Sequence, residues 1–201
     1  MKLFNVLAVA AATTALVSFQ YVTNSKHEGD EVHYQIDKEH SILKWKGGKS
    51  AEYFHTGTVM FKSGELEMDH NMIEAGKFEI DLASIKITDN LPDAKKVMLA
   101  GHLQNEDFFN IAKYATAAVN VGAYKDGKLH TTVTVLGMAV THDIPVKLKA
   151  DGKTAAIVGT FDFDFTDAKI PGTIHQEGDT ESISPVFSFD LNLMLNAQHS
   201  H

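Results

Sequence analysis

From Glu31 onward, apolar side chains recur at every second position, the period that places one face of a strand on a core and the other in solvent. Phe78, Ile80 and Leu82 alternate with Lys77, Glu79 and Asp81; Leu43 and Trp45 with Lys44 and Lys46; Val59 and Phe61 with Thr58 and Lys62. The pattern returns at Val119 and Val121, at Ile144, Val146 and Leu148, at Phe161, Phe163 and Phe165, and in the closing run from Phe187 to Leu195. Turn signals separate the runs: Lys62-Ser63-Gly64-Glu65, Asp126-Gly127 and Asp151-Gly152 each read as a hairpin between sequence neighbours. One helix is predicted near Pro92 to Leu99, with proline in its first turn after Asn90. Nine or ten sequential antiparallel strands can stack as a sandwich or close as a barrel. Closure removes the exposed edges and suits the bulky inward set, so an all-β antiparallel barrel is expected.

Composition narrows the chemistry. The chain of 201 residues carries 18 basic and 26 acidic side chains, for a net charge of −8, and every basic residue is lysine. Without a basic face or a guanidinium fork, nucleic acid is a poor partner. The absence of cysteine excludes disulfides, thiolate metal sites and cysteine nucleophiles. The eleven histidines are dispersed, and His199 and His201 at the end read as a polar tail rather than a metal site. Lys46-Gly47-Gly48-Lys49-Ser50 lacks the first glycine of a phosphate loop, because position 43 is Leu43. No nucleophile elbow or catalytic carboxylate pair is visible. The chain reads as a binding protein, with no enzyme, cofactor or metal expected.

At the start, Lys2 precedes an apolar stretch from Val6 to Phe19, shorter than a spanning helix requires. Residues 1–25 are read as a signal peptide and leader, cleaved between Ser18 and Ser25, and 26–201 as one domain. An exported chain, periplasmic or secreted, without a stable membrane anchor is the expectation.

Three ordered motifs carry a family resemblance. Tyr34-Gln35-Ile36-Asp37-Lys38-Glu39-His40-Ser41 followed by Leu43-Lys44-Trp45 resembles the opening signature of the YceI-like family, Y-x-I-D-x-x-H-S. His102 to Tyr114 resembles its H-L-x-x-x-D-F-F-D-x-x-K-Y segment. Leu129 to Leu148, with Val135-Leu136-Gly137-Met138 and Ile144-Pro145-Val146, resembles its later stretch. The resemblance implies a lipocalin-like extended barrel of about eight strands with one short helix, binding long apolar molecules such as polyisoprenoids, and a homodimer. One departure stands out. The family commonly has an arginine in an R-x-D-F-G pattern near the end, where this chain has Phe165, with Lys169 the nearest substitute charge.

Candidate ligand contacts follow from both readings. Trp45, Phe61, Phe78, Phe161, Phe163, Phe187 and Phe189 are expected on inward faces, where each either lines a cavity or simply fills the core. Phe108 and Phe109 either plug the cavity or pack a lid. His40 and Ser41 either orient a ligand at the mouth or serve a turn, and Met98 and Met138 are candidate adaptable wall residues. Two further classes stay open: a filled barrel acting as an envelope interaction protein, and an enzyme with His40 as acid or base.

Overall fold

The computed structural model describes residues 31–50, 52–70, 72–174 and 183–198. The Val6–Phe19 stretch and the His199/His201 pair lie outside them. Among the described residues are ten strands: β1 (Glu31–Ile36), β2 (Ile42–Gly48), β3 (Phe54–Asp69), β4 (Met72–Ile87), β5 (Thr116–Lys125), β6 (Lys128–Val135), β7 (Met138–Pro145), β8 (Lys147–Ala150), β9 (Thr154–Asp164) and β10 (Val186–Ala197). One helix, α1 (Asp93–Gln104), follows β4, and two 3-10 turns, Thr166–Ala168 and Pro171–Thr173, follow β9. Every strand pairing is antiparallel, in the order β7-β6-β5-β4-β3-β1-β10-β9-β8, with β2 inserted between β3 and β10 beyond the end of β1.

β3 and β4 are 16 residues each, nearly three times the ordinary strand of about 5–6, and Lys62 to Glu65 lies in the middle of β3 rather than at a hairpin. Gly64 is there for proximity. The Phe78 ring lies over its bare Cα, and an added Cβ would sit 2.1 Å from Phe78 Cδ1. The chain reverses instead after Asp69, where His70 takes φ 47°. The Asp126-Gly127 and Asp151-Gly152 hairpins stand where expected, with Gly127 and Gly152 at φ 75° and 81°, conformations that favour a residue without Cβ. Helix α1 stands where predicted, but Pro92 caps it rather than sitting in its first turn, its carbonyl accepting from Lys95 N at 2.8 Å and Lys96 N at 3.1 Å. It runs five residues past Leu99, so His102 and Leu103 belong to its last turn.

Alternation decides the core. Leu66, Tyr34, Leu195 and Ile157 pack one end of the barrel almost without exposure. Along β4 the inward set shifts phase after Leu82, continuing at Ile85 and Ile87. Ser84 makes that shift: its hydroxyl donates to Asp81 O at 2.6 Å and accepts from Met60 N at 2.8 Å, satisfying the strand where the β3–β4 register slips.

The two ends of the strand order meet without a ladder. Among the described residues β7 pairs only with β6, and β9 beyond Val158 pairs only with β10. His142 on β7 bridges this seam, donating through Nε2 to the Asp164 carbonyl at 3.1 Å and lying edge-on to Phe163, 4.5 Å between ring centres.

Candidate functional site

The inward faces enclose a cavity of about 140 Å³. Each wall element contributes by its period of two: Leu43 and Trp45 from β2, Val59 and Phe61 from β3, Phe78, Ile80 and Leu82 from β4, Val119 and Val121 from β5, Val133 and Val135 from β6, and Phe161 and Phe163 from β9. Phe187, Phe189, Leu191 and Leu193 from β10 complete it, with Leu103 of α1 and Phe109 closing over the top. Thr131 is the single lining residue with a polar side-chain group besides Trp45, and its hydroxyl donates to Leu129 O at 3.1 Å. Within this wall Ile80, Val119, Val133, Phe109, Phe161 and Phe189 are only half-buried although they point inward.

Aromatic rings crowd the lid side. Phe165 stands 4.7 Å from Phe163, 5.8 Å from Phe187 and 6.2 Å from Phe189, the last two edge to face, the arrangement that opposes ring edge to ring face. Phe61 and Phe78 form a second edge-to-face pair at 6.2 Å. Where the family commonly carries an arginine, Phe165 thus adds apolar wall. Lys169 does not replace that charge, since it is exposed at φ 51° on the turn after the first 3-10 segment.

The structure brings Trp45, Phe61, Phe78, Phe109, Phe161, Phe163, Phe187 and Phe189 together around the cavity. It places four of the expected contacts elsewhere. His40 lies on the β1–β2 turn with its side chain 70% exposed, its Nδ1 2.9 Å from Asp37 Oδ2. Asp37 also accepts from the N–H groups of Glu39 and His40. The His40 ring and backbone hold this carboxyl below the usual carboxylate range. Phe108, 1% exposed, packs away from the cavity against Gly172, whose Cβ would lie 2.2 Å from the ring, and 5.4 Å from the His102 ring. Met138 opens β7 after the tight turn through Leu136 and Gly137, and the hairpin tip leaves it 44% exposed. Met98 is exposed on α1.

Sequence reasoning missed Ile85 because a bulge precedes it, Leu103 because α1 was ended too early, and Thr131 because it is polar. Phe165 sat in an alternating run that marked it as inward. The seam residue His142 carried no signal, although it falls on the same face of β7 as Val140 and Ile144. Near it, the hydroxyl and N–H of Thr166 hold the Asp164 carboxyl low, at 2.6 and 2.8 Å. Among the described residues no three His, Asp or Glu side chains are placed to hold a metal ion.

A sheet rolled around an apolar cavity, capped by a helix and an aromatic lid, is the architecture of a lipocalin-like barrel. The chain belongs to the family defined by the YceI-like domain, whose model matches residues 34–195. It is 30% identical over 122 residues to UPF0312 proteins of Pseudomonas putida strains GB-1 and W619, a match that covers 58% of this chain and 60% of each relative. The matched region thus spans three fifths of the length of those relatives. Two solved structures share the fold. One is a polyisoprenoid binding domain from Saccharophagus degradans implicated in plant cell wall breakdown, with TM-score 0.59 and 15% identity over 82% of this chain and 98% of that one. The other is Burkholderia cenocepacia BcnA, with TM-score 0.61 and 18% identity over 79% and 98%.

Proposed function

We propose that this protein is an exported, non-enzymatic carrier or sequestering protein for a long-chain apolar lipid of the polyisoprenoid class, held inside the barrel. The observation that carries the reading is the cavity itself: strand after strand turns only hydrocarbon and aromatic surface toward it, and the one lining hydroxyl is spent on the backbone. Such a wall binds by area, each buried methylene contributing about 0.8 kcal/mol. A dry apolar cavity of similar size, roughly 150 Å³, is known to take a benzene ring. A cavity of this volume seats about one isoprene unit. A longer chain fits when the half-buried inward side chains, Phe109, Phe161 and Phe189 foremost, turn aside.

Family membership and the fold shared with a polyisoprenoid binding domain support the ligand class. The N-terminal apolar stretch supports export, and no helix among the described residues is long and apolar enough to cross a membrane. The filled-barrel alternative fits less well, because the interior is not solid.

Native mass spectrometry of the mature protein purified without detergent, followed by denaturing extraction, tests the proposal. A stoichiometric adduct released on unfolding and identified as a prenyl or other long-chain lipid is the expected result. No adduct, and no uptake of added prenyl or fatty chains, would overturn it.

A further inference from the structure

β7 and β8 are one stretch of chain that changes partner. From Lys147 to Ala150 it pairs with β9, Lys147 standing opposite Val158, whereas from Met138 to Pro145 it pairs with β6. The fork lies at Pro145 and Val146. Gly159 of β9 is pressed against it, where an added Cβ would stand 2.5 Å from the Pro145 carbonyl oxygen and 3.2 Å from Val146 Cα. Proline has no N–H to offer β9, and the Val146 N–H goes to Gly127 O at 3.0 Å. Past the fork, from Thr160 to Asp164, β9 keeps β10 on one side and has no ladder on the other among the described residues.

The two ends of the barrel are closed more firmly than this seam. Leu66, Tyr34, Leu195 and Ile157 pack one end shut. At the other, backbone bonds hold the lid: Phe109 N donates to Leu103 O at 3.1 Å, Ile111 N to Gln104 O at 3.0 Å and Gly172 N to Asp107 O at 2.7 Å. The seam is held by one side chain, His142, through its bond to Asp164 O and its contact with the Phe163 ring. Parting a ladder breaks a hydrogen bond at every rung, and parting the seam breaks one. The cavity stands directly behind it, since Ile144 of β7 and Phe161 and Phe163 of β9 line it from the two sides of the gap. Continued past the fork, the β8–β9 register sets Ile144 against Phe161, which is only half-buried.

We propose that the seam between β7 and β9 is the portal through which the lipid enters and leaves the barrel, with His142 as its latch and the Pro145–Val146 fork on Gly159 as its pivot. A gap along the wall admits a long chain sideways, without threading it through a closed end. This inference rests on the lipid-binding reading and adds the route that the lipid takes.

The chain has no cysteine, so two introduced thiols are bridged without competition. The same continued register sets Asp143 opposite Asp162, and both are exposed. Asp143→Cys combined with Asp162→Cys, bridged after folding by a reducible bis-methanethiosulfonate, locks the seam. Glu65→Cys combined with Lys77→Cys, an exposed pair within the β3–β4 ladder, is bridged in the same way as the control. Uptake and release of geranylgeraniol are followed over time by native mass spectrometry. The locked seam should slow both by about tenfold or more, because opening then sets the rate, with recovery on reduction and no change in the control. His142→Phe, which keeps a ring but not the hydrogen bond, should exchange the lipid about fivefold faster than wild type. Wild-type exchange through the locked seam, or equal slowing by both bridges, would overturn the portal while leaving lipid binding intact. Binding of geranylgeraniol by none of these proteins would overturn the parent reading and this one together.

Discussion

The hydroxyl of Ser41 holds both backbone polar groups of Met194, donating to the carbonyl at 3.1 Å and accepting from the N–H at 2.9 Å. At this point β10 passes from its pairing with β1, which ends at Leu195, to its pairing with β2, which begins at Asn192. One side chain fills the missing rung. The I-D-x-x-H-S signature is therefore a strand switch, with Asp37 capping the turn and Ser41 mending the ladder.

Ser41→Ala should destabilise the fold by about 1–3 kcal/mol, because the half-buried Met194 N–H loses its partner while Asp37 N still serves the carbonyl at 2.8 Å. His40→Ala, on the exposed side of the same turn, should change stability by less than about 0.5 kcal/mol and leave lipid uptake unchanged. Urea denaturation of both variants checks the pair. A larger loss at His40 than at Ser41 would reverse the assignment of roles within the motif.

Gly57→Ala should be among the most damaging single-methyl additions to the barrel. The new Cβ would stand 2.2 Å from Lys86 O as well as against the Trp45 ring, and neither a ladder carbonyl nor a buried indole moves freely. Overpacking of this kind costs about 1–3 kcal/mol, and the backbone contact puts this site at the upper end. Thermal unfolding followed by Trp45 fluorescence should show a lower midpoint and an altered native emission. An unchanged midpoint would mean that the indole is not seated on Gly57.

Much of this was legible in the sequence, for a physical reason. A half-buried strand must alternate, so Trp45, Phe61, Phe78, Phe161, Phe163, Phe187 and Phe189 could be assigned to the inner face without coordinates, and all seven line the cavity. The period says nothing about what a glycine answers to. Gly64 looked like a turn and instead makes room for Phe78 in a continuous strand. Nor does it resolve an irregular segment, where the adjacent Phe108 and Phe109 separate, one into the lid core and one onto the cavity. His40 and Met138 fell to the same limit, since each sits at a turn where alternation stops deciding the face. The missing ladder between β7 and β9 is a property of closure, which no local pattern encodes.

That separation predicts opposite phenotypes for lid and wall. Phe108→Ala should cost about 3–5 kcal/mol, as expected for deleting a fully buried ring, while the surviving folded fraction keeps its lipid affinity. Val133→Phe adds volume on a half-buried wall position facing the void, so lipid affinity should fall by tenfold or more at little cost to the thermal midpoint. Calorimetric unfolding and lipid uptake measured on the same samples separate the two. Loss of binding in Phe108→Ala at temperatures where it is fully folded would place that ring at the ligand after all.

The acid response should be governed in part by Asp89, which ties the start of β3 to the segment after β4. Burial pushes its carboxyl up, but the Thr56 hydroxyl at 2.7 Å, the His55 ring and the Thr56 N–H at 2.6 Å outweigh that and hold it below the usual carboxylate range. A carboxyl that ionises more readily folded than unfolded contributes stability in its charged form. The contribution is complete above the unfolded value of about 3.9 and is lost as pH falls through the lower folded value. Asp89→Asn keeps the shape but cannot ionise. The variant should therefore be less stable than wild type by about 1–3 kcal/mol at neutral pH, and the gap should close as pH falls below about 3.9. Urea unfolding of both proteins from neutral pH down to about pH 3 measures the gap. A difference that stays constant across the whole range would show that the carboxyl acts only as a neutral acceptor, with no ionisation linked to folding.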